Sequence, residues 1–381
     1  LEPRARMAVA RLAFLSCAVI ALGATSLQSA AAHGHEVVSG ELGNKLDREM
    51  SRLTEKGFAG VVFVSRRGSI VLAKGYGLAD REAMRPFTRD TVFDMGSITK
   101  PFTAAAILRL EADGKLRLND PLTRWFDGVP PDKRTITIQQ LLTHSAGFDG
   151  ALGDDYEDRV TRDAYVKRAL QSNLIHRPGG RYAYSNIGYS LLGAIIEHAS
   201  GMGYERYLRE KLFVPAHMYE TGYILPKWKG ARINHTYSHV KDYGPPDKRP
   251  WAPDGPYWNL RCNGGLLTTV DDLYRWHLVL SGDAVFSPKA VSKYQQPQVS
   301  QVGKGPGAYY GYGWVHRKTA HGTRIVHHDG GDGIFSSKFR RYVDDDVVLM
   351  YSTNDVERSG AAAEALGIPA IELWLEQLIF Q

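Results

Sequence analysis

The feature that most limits the fold of this chain is where its β-rich and helical segments fall. Phe58 to Val64 and Ser69 to Ala73 are β-branched runs around Arg66-Arg67-Gly68, which predicts a β-hairpin. Four further strands are expected near the other end: Gly311 to Arg317, Arg324 to His328, Ser336 to Tyr342 and Val347 to Tyr351, separated by Gly and Asp clusters. Between these two groups the pattern is helical. Lys100 to Asp113, Ile138 to Leu142, Arg162 to Leu170, Ser190 to Ser200 and Tyr204 to Leu212 all carry helical spacing. Leu42 to Lys56 is an amphipathic helix before the hairpin, and Ala361 to Phe380 a terminal helix interrupted near Gly367 and Pro369.

Strands at both ends with helices between them predict an α+β fold. Its antiparallel sheet is assembled from N- and C-terminal segments, flanked by helices, with a mainly helical lobe inserted. The expected division is a leader over residues 1–32, a sheet lobe over 38–110 and 255–381, and a helical lobe over 111–254. The helical lobe ends in a Pro-, Trp- and Tyr-rich loop, about Lys227 to Asn259. Long loops in compact domains often line sites.

The leader reading rests on Arg4, Arg6 and Arg11, the apolar run Leu12 to Ala24 and the small residues ending at Ala30-Ala31-Ala32. That is a positive region, a short apolar core and an A-x-A-like cleavage site. The run is short for a bilayer span. Its loss removes three Arg and Glu2, lowering the formal net charge of +6 by two. No Lys/Arg block is dense enough for a nucleic-acid footprint. Of the two cysteines, Cys17 lies in the leader, so a mature chain would hold Cys262 alone and no internal disulfide. The expectation is a periplasmic or secreted protein without stable membrane insertion.

The sharpest local signal is Gly96-Ser97-Ile98-Thr99-Lys100-Pro101. Proline is tolerated mainly in the first turn of a helix, and the apolar run Phe102 to Leu110 follows it. Ser97 is therefore placed at a helix start, with Lys100 on the same face about one turn on. A hydroxyl at the positive end of a helix dipole, beside a lysine that burial would push toward neutrality, is a nucleophile with an adjacent base. A second S-x-x-K, Ser238 to Lys241, has no helix to align it and is read as chance. Tyr184-Ser185-Asn186 is expected in a loop opening the Ser190 helix, where a phenol can relay a proton and an amide can donate and accept. His328-Asp329-Gly330-Gly331 ends a strand and could let substrate approach the backbone closely. Leu141 to Gly147 reads as a tight loop.

In this order, these segments resemble the serine β-lactamase and penicillin-binding-protein superfamily, in the branch of class C β-lactamases, DD-peptidases and family VIII carboxylesterases. The resemblance runs from about Leu42 to Tyr351 and includes Thr91 to Ser97, Leu141 to Gly147 and Gly264 to Thr269. It implies Ser97 as the acylated residue, Lys100 and Tyr184 as its proton-transfer partners, and Asn186 as a substrate-contacting amide. His328-Asp329-Gly330 then stands at the third motif, usually Lys-Thr-Gly. Gly331, with Ser97, would supply oxyanion N–H groups.

The implied activity is that of an exported serine hydrolase acting through a Ser97 acyl-enzyme, a carboxylesterase or an amidase/peptidase on small esters or amides. Lys to His and Thr to Asp put efficient β-lactam turnover in question. A β-lactamase or DD-peptidase is the alternative, and a non-enzymatic covalent penicillin-binding sensor a third reading. No cofactor is implied. A metal is not expected either: His235 and His239 fall in a loop, while His327 and His328 are neighbours on a strand and point to opposite faces.

Overall fold

Apolar residues at alternate positions of the strand Gly60–Arg66 serve two different cores. Val61 and Phe63 pack into a large helical core, whereas Val62 and Val64 pack with the terminal helices. That period of two is the signature of a sheet buried on both faces. The computed structural model describes residues 35–381 apart from 156–157, 229–231, 239–240, 283 and 306. The leader reading of residues 1–32, and His239, lie outside the described residues.

Nine antiparallel strands form the sheet. Their order is Val37–Val38, Ser69–Tyr76, Gly60–Arg66, Val347–Thr353, Ser336–Tyr342, Arg324–Gly331, Val315–Lys318, Tyr309–Tyr310 and Val299–Ser300. The seam between the two ends of the chain is the pairing of Val347–Thr353 with Gly60–Arg66, in register from Val347↔Arg66 to Thr353↔Gly60. The sheet is thus built from N- and C-terminal segments. One face is covered by the helix Gly40–Glu55, through Leu46, Met50 and Leu53, and by Ile371–Phe380, through Leu375 and Ile379.

The other face packs on the helical part of the chain. Its central member is Thr99–Ala112, buried on almost every side from Thr99 to Leu110. A helix apolar all round is stable only inside a core, and Asn186–Ser200 and Tyr204–Leu208 surround it.

Several boundaries differ from expectation. The helix predicted from Ser190 begins at Asn186, because the Ser185 side chain accepts from the Gly188 N–H as an N-cap. The helix predicted over Tyr204 to Leu212 is regular only to Leu208 and continues as a wider coil over Arg209–Phe213. The strand predicted over Gly311 to Arg317 is split, since Gly311 to Trp314 form a turn between Tyr309–Tyr310 and Val315–Lys318. Arg324–Gly331 is longer than predicted and carries the whole His328 to Gly331 segment in the sheet. Two helices, Val270–Val279 and Pro288–Tyr294, lie where only sheet and loop were expected.

Candidate active site

Ser97 lies in a single 3-10 turn, Gly96–Ile98, that runs directly into Thr99–Ala112. Pro101 is the third residue of that helix, as its missing N–H requires. The turn is held by the buried Asp94, whose Oδ1 accepts the Gly96 N–H at 2.7 Å. Gly96 has φ +50, and a Cβ there would sit 2.5 Å from the Gly331 nitrogen. A Cβ on Gly330 would lie 2.0 Å from the Met95 carbonyl oxygen and 3.0 Å from the Ser97 nitrogen. Only glycine allows the strand end and the turn to touch. The contact holds the backbone nitrogens of Ser97 and Gly331 close together.

One turn along the helix, Lys100 is fully buried. Its Nζ lies 3.1 Å from Ser97 Oγ, 2.8 Å from Asn186 Oδ1 and 2.8 Å from the carbonyl of Asn263. Burial pushes its pKa down to about 7, while the negative charge of Asp155 works the other way. Near neutral pH a substantial fraction of the amine is therefore unprotonated and can take a proton from the Ser97 hydroxyl. The Lys100 ammonium also lies 4.7 Å from the centre of the Tyr184 ring.

Tyr184 exposes 37% of its surface, and its hydroxyl end lies near Ser97. Desolvation of that end raises the phenol well above its ordinary pKa. At neutral pH it is a proton carrier rather than a standing base. Its position is set by His144, in the loop read as Leu141 to Gly147. The His144 carbonyl accepts the Ala183 N–H at 2.8 Å, and its Nδ1 accepts the Ser185 N–H at 3.0 Å. Tyr184 sits between those two anchors, with its ring 4.4 Å from the imidazole. Asn186 gives its Oδ1 to Lys100, leaving the amide nitrogen as its donor end.

Ser97, Tyr184, His328, Gly330 and Gly331 line one open groove of about 390 Å³, together with Arg317 and Asp329. All seven residues expected in the site from sequence are therefore gathered here, Lys100 through its contact with Ser97 and Asn186 through Lys100. His328 is buried, and burial plus the Lys100 charge push its pKa down to about 3. It is neutral at physiological pH. Asp329 shares a sheet face with His327 and is paired with Lys338 at 3.1 Å and Arg340 at 3.4 Å. Its charge is balanced from behind the sheet instead of standing alone in the groove.

Sequence reasoning missed three residues. The Asn263 carbonyl accepts from Lys100 in a turn where Cys262 has φ +73. His144 anchors Tyr184. Arg317, on the neighbouring strand Val315–Lys318, brings an exposed guanidinium to the groove. His144 had a signal, since it lies in a loop already singled out. The other two depend on which distant segments meet.

Larger cavities lie elsewhere. One of about 660 Å³ sits between the sheet and the C-terminal helices, lined by Lys338, Tyr351 and Glu372 among others. There Lys338 is paired with Asp329 and the Tyr351 hydroxyl donates to Glu372, and the chemistry favours the smaller groove. Among the described residues, no group of three or more His, Cys, Asp or Glu is placed to hold a metal, and no helix is long and apolar enough to cross a membrane.

The beta-lactamase family model matches residues 46–369. The chain is 31% identical over 315 residues to penicillin-binding protein 4* of Bacillus subtilis, covering 79% of this chain and 69% of that protein. It is 28% identical over 311 residues to esterase EstB of Burkholderia gladioli, covering 68% and 76%. The octameric penicillin-binding protein homologue of Pyrococcus abyssi superposes with a TM-score of 0.71 at 25% identity, over 86% of this chain and 78% of that one. The chain belongs to the beta-lactamase family of serine hydrolases.

Proposed function

We propose that Ser97 is the acylated nucleophile of an exported hydrolase that cleaves small esters, or amides lacking a free carboxylate. The observation that carries this reading is the Ser97 to Lys100 pair: a hydroxyl at a helix start, 3.1 Å from a fully buried lysine whose pKa is lowered to about 7. Lys100 takes the Ser97 proton as Oγ attacks the carbonyl carbon. The N–H groups of Ser97 and Gly331 hold the resulting oxyanion. Tyr184 passes the proton to the leaving oxygen or nitrogen, and water then releases the acid from Ser97. Asn186 both orients Lys100 and offers its amide to the substrate.

The substrate class follows from the third motif. A neutral His328 provides no fixed cation for a carboxylate, so anionic substrates lose a charge-assisted bond of roughly 1.5–3 kcal/mol. The Asp329 carboxylate adds little further penalty, because Lys338 and Arg340 balance it. The second reading, a β-lactamase or DD-peptidase, is favoured by Arg317, the basic side chain lining the groove, and by the penicillin-binding relative. A panel of p-nitrophenyl esters, nitrocefin and D-amino-acid p-nitroanilides decides between them. Short esters or amides are expected to have the highest kcat/KM, and a higher value for nitrocefin would overturn the first reading. Export is tested by N-terminal sequencing of the secreted product, expected to begin near Ala32 or His33. Retention of Leu12 to Ala24 in the released protein would contradict it.

A further inference from the structure

The third-motif imidazole is held at both nitrogens. His328 Nδ1 lies 2.8 Å from the Asp329 backbone carbonyl, which can only accept, so Nδ1 carries a proton. His328 Nε2 lies 3.1 Å from the hydroxyl of Tyr310, a fully buried residue. Burial raises the Tyr310 pKa far above its ordinary value, so this phenol keeps its proton at physiological pH. The neighbouring phenol of Tyr189 gives its proton to the Leu142 carbonyl at 2.8 Å, so the side-chain partner of the Tyr310 hydroxyl is His328 Nε2.

Resting on the Ser97-centred site proposed above, we infer that Tyr310 is a positioning residue: it donates to Nε2 and holds His328 as the neutral, Nδ1-protonated imidazole, so that this side chain presents no cation to the substrate. The surroundings act in the same sense. Lys100 and His144 face His328 from the helical side, His327 adjoins it on the strand, and the Tyr184 ring lies 6.3 Å away. The groups that would favour a proton on His328 are the Asp329 carbonyl, already satisfied by Nδ1–H, and the Asp329 carboxylate, already paired with Lys338. Removing the Tyr310 hydroxyl leaves Nε2 as a lone pair without a donor, and protonation then becomes its route to a partner such as a substrate carboxylate.

The test reads the tautomer and the selectivity together, on the full chain. Histidines labelled with ¹⁵N, with His328→Gln to assign the signal, are expected to show His328 as the Nδ1–H tautomer from about pH 5 to 8. In Tyr310→Phe, protonated His328 should appear at a higher pH than in the unmodified protein. The kcat/KM ratio of nitrocefin to a short neutral ester should then rise roughly three- to tenfold at about pH 5.5, mainly through KM, and stay unchanged at about pH 8. An Nε2–H tautomer or an imidazolium in the unmodified protein would overturn the inference, as would an unchanged ratio at the lower pH. If Tyr310→Phe fails to fold, the tautomer of the unmodified protein decides alone. That signal does not depend on which serine is acylated, so its failure and the failure of the Ser97 assignment are separate results.

Discussion

The chain carries the pattern S-x-x-K twice, and the two copies have little else in common. At Ser97–Lys100 the residues straddle the start of a buried helix. Helical phase brings Nζ to 3.1 Å from Oγ, and burial lowers the amine to about pH 7. At Ser238–Lys241 the two residues stand on the paired strands Tyr237–Ser238 and Lys241–Asp242 as cross-strand partners. There Ser238 Oγ donates to Glu357, and the exposed Lys241 lies 4.2 Å over the Tyr243 ring. Spacing in sequence is therefore no measure of chemistry. The backbone that sets the phase and the solvent that is excluded from the amine supply it.

The largest test of that contrast is removal of each hydroxyl. Ser97→Ala should lower kcat by about 10⁴–10⁶-fold, as loss of a nucleophile in a coupled unit does. The fold should survive, since a small replacement at a helix start costs about 0.5–2 kcal/mol. Ser238→Ala should leave kcat/KM unchanged; a comparable loss there would break the comparison. Next come the proton carriers. Lys100→Ala and Tyr184→Phe should each cost on the order of 10²–10⁴-fold in kcat. Their double variant should lose less than the product, and strict additivity would argue against a shared proton path. Lys241→Ala should be silent.

A smaller loss is expected where the strand meets the turn. Gly330→Ala drives a Cβ against the Met95 carbonyl and should separate the Ser97 and Gly331 amides. About 10- to 100-fold in kcat should be lost, the scale of one oxyanion donor or less, with KM little changed. A larger effect on KM than on kcat would place the contact in substrate binding instead.

The smallest effect is thermodynamic. Because the folded-state pKa of Lys100 lies near 7 and its ordinary value is 10.5, the unfolded chain binds more protons between those limits. Stability therefore rises with pH across that window, by up to about 1.4 kcal/mol per pH unit from this group. Lys100→Met removes the dependence. Its stability relative to the unmodified protein, from urea unfolding, should be highest at about pH 7 and fall toward about pH 9. Asp94, raised to about 7 by burial, contributes the opposite sign, but its window ends where that of Lys100 begins.

What could be read in the sequence was what local rules decide. Pro101 located the helix start and so the phase of Ser97 and Lys100. Flanking Gly and Asp clusters located Ser336–Tyr342 to the residue, and Gly367 and Pro369 marked the break between Val356–Glu364 and Ile371–Phe380. Val270–Val279 was missed although its start is signalled, since Thr269 accepts the Asp272 N–H as an N-cap. Pro288–Tyr294 likewise begins with a Ser287 cap and proline at its first position. Partners set by tertiary contact were not legible. Tyr310 reaches His328 from a two-residue strand whose neighbours are fixed only by sheet order, and the Asn263 carbonyl reaches Lys100 across 163 residues.

The proposed reactivity of Ser97–Lys100, and not of Ser238–Lys241, rests on burial and helical phase. Its most direct test is intact-mass spectrometry after treatment with a serine-directed phosphonate, followed by peptide mapping. A single adduct is expected, on Ser97, whose formation slows as pH falls below about 7 and Lys100 becomes charged. An adduct on Ser238, or labelling of Ser97 that persists unchanged in Lys100→Ala, would contradict it.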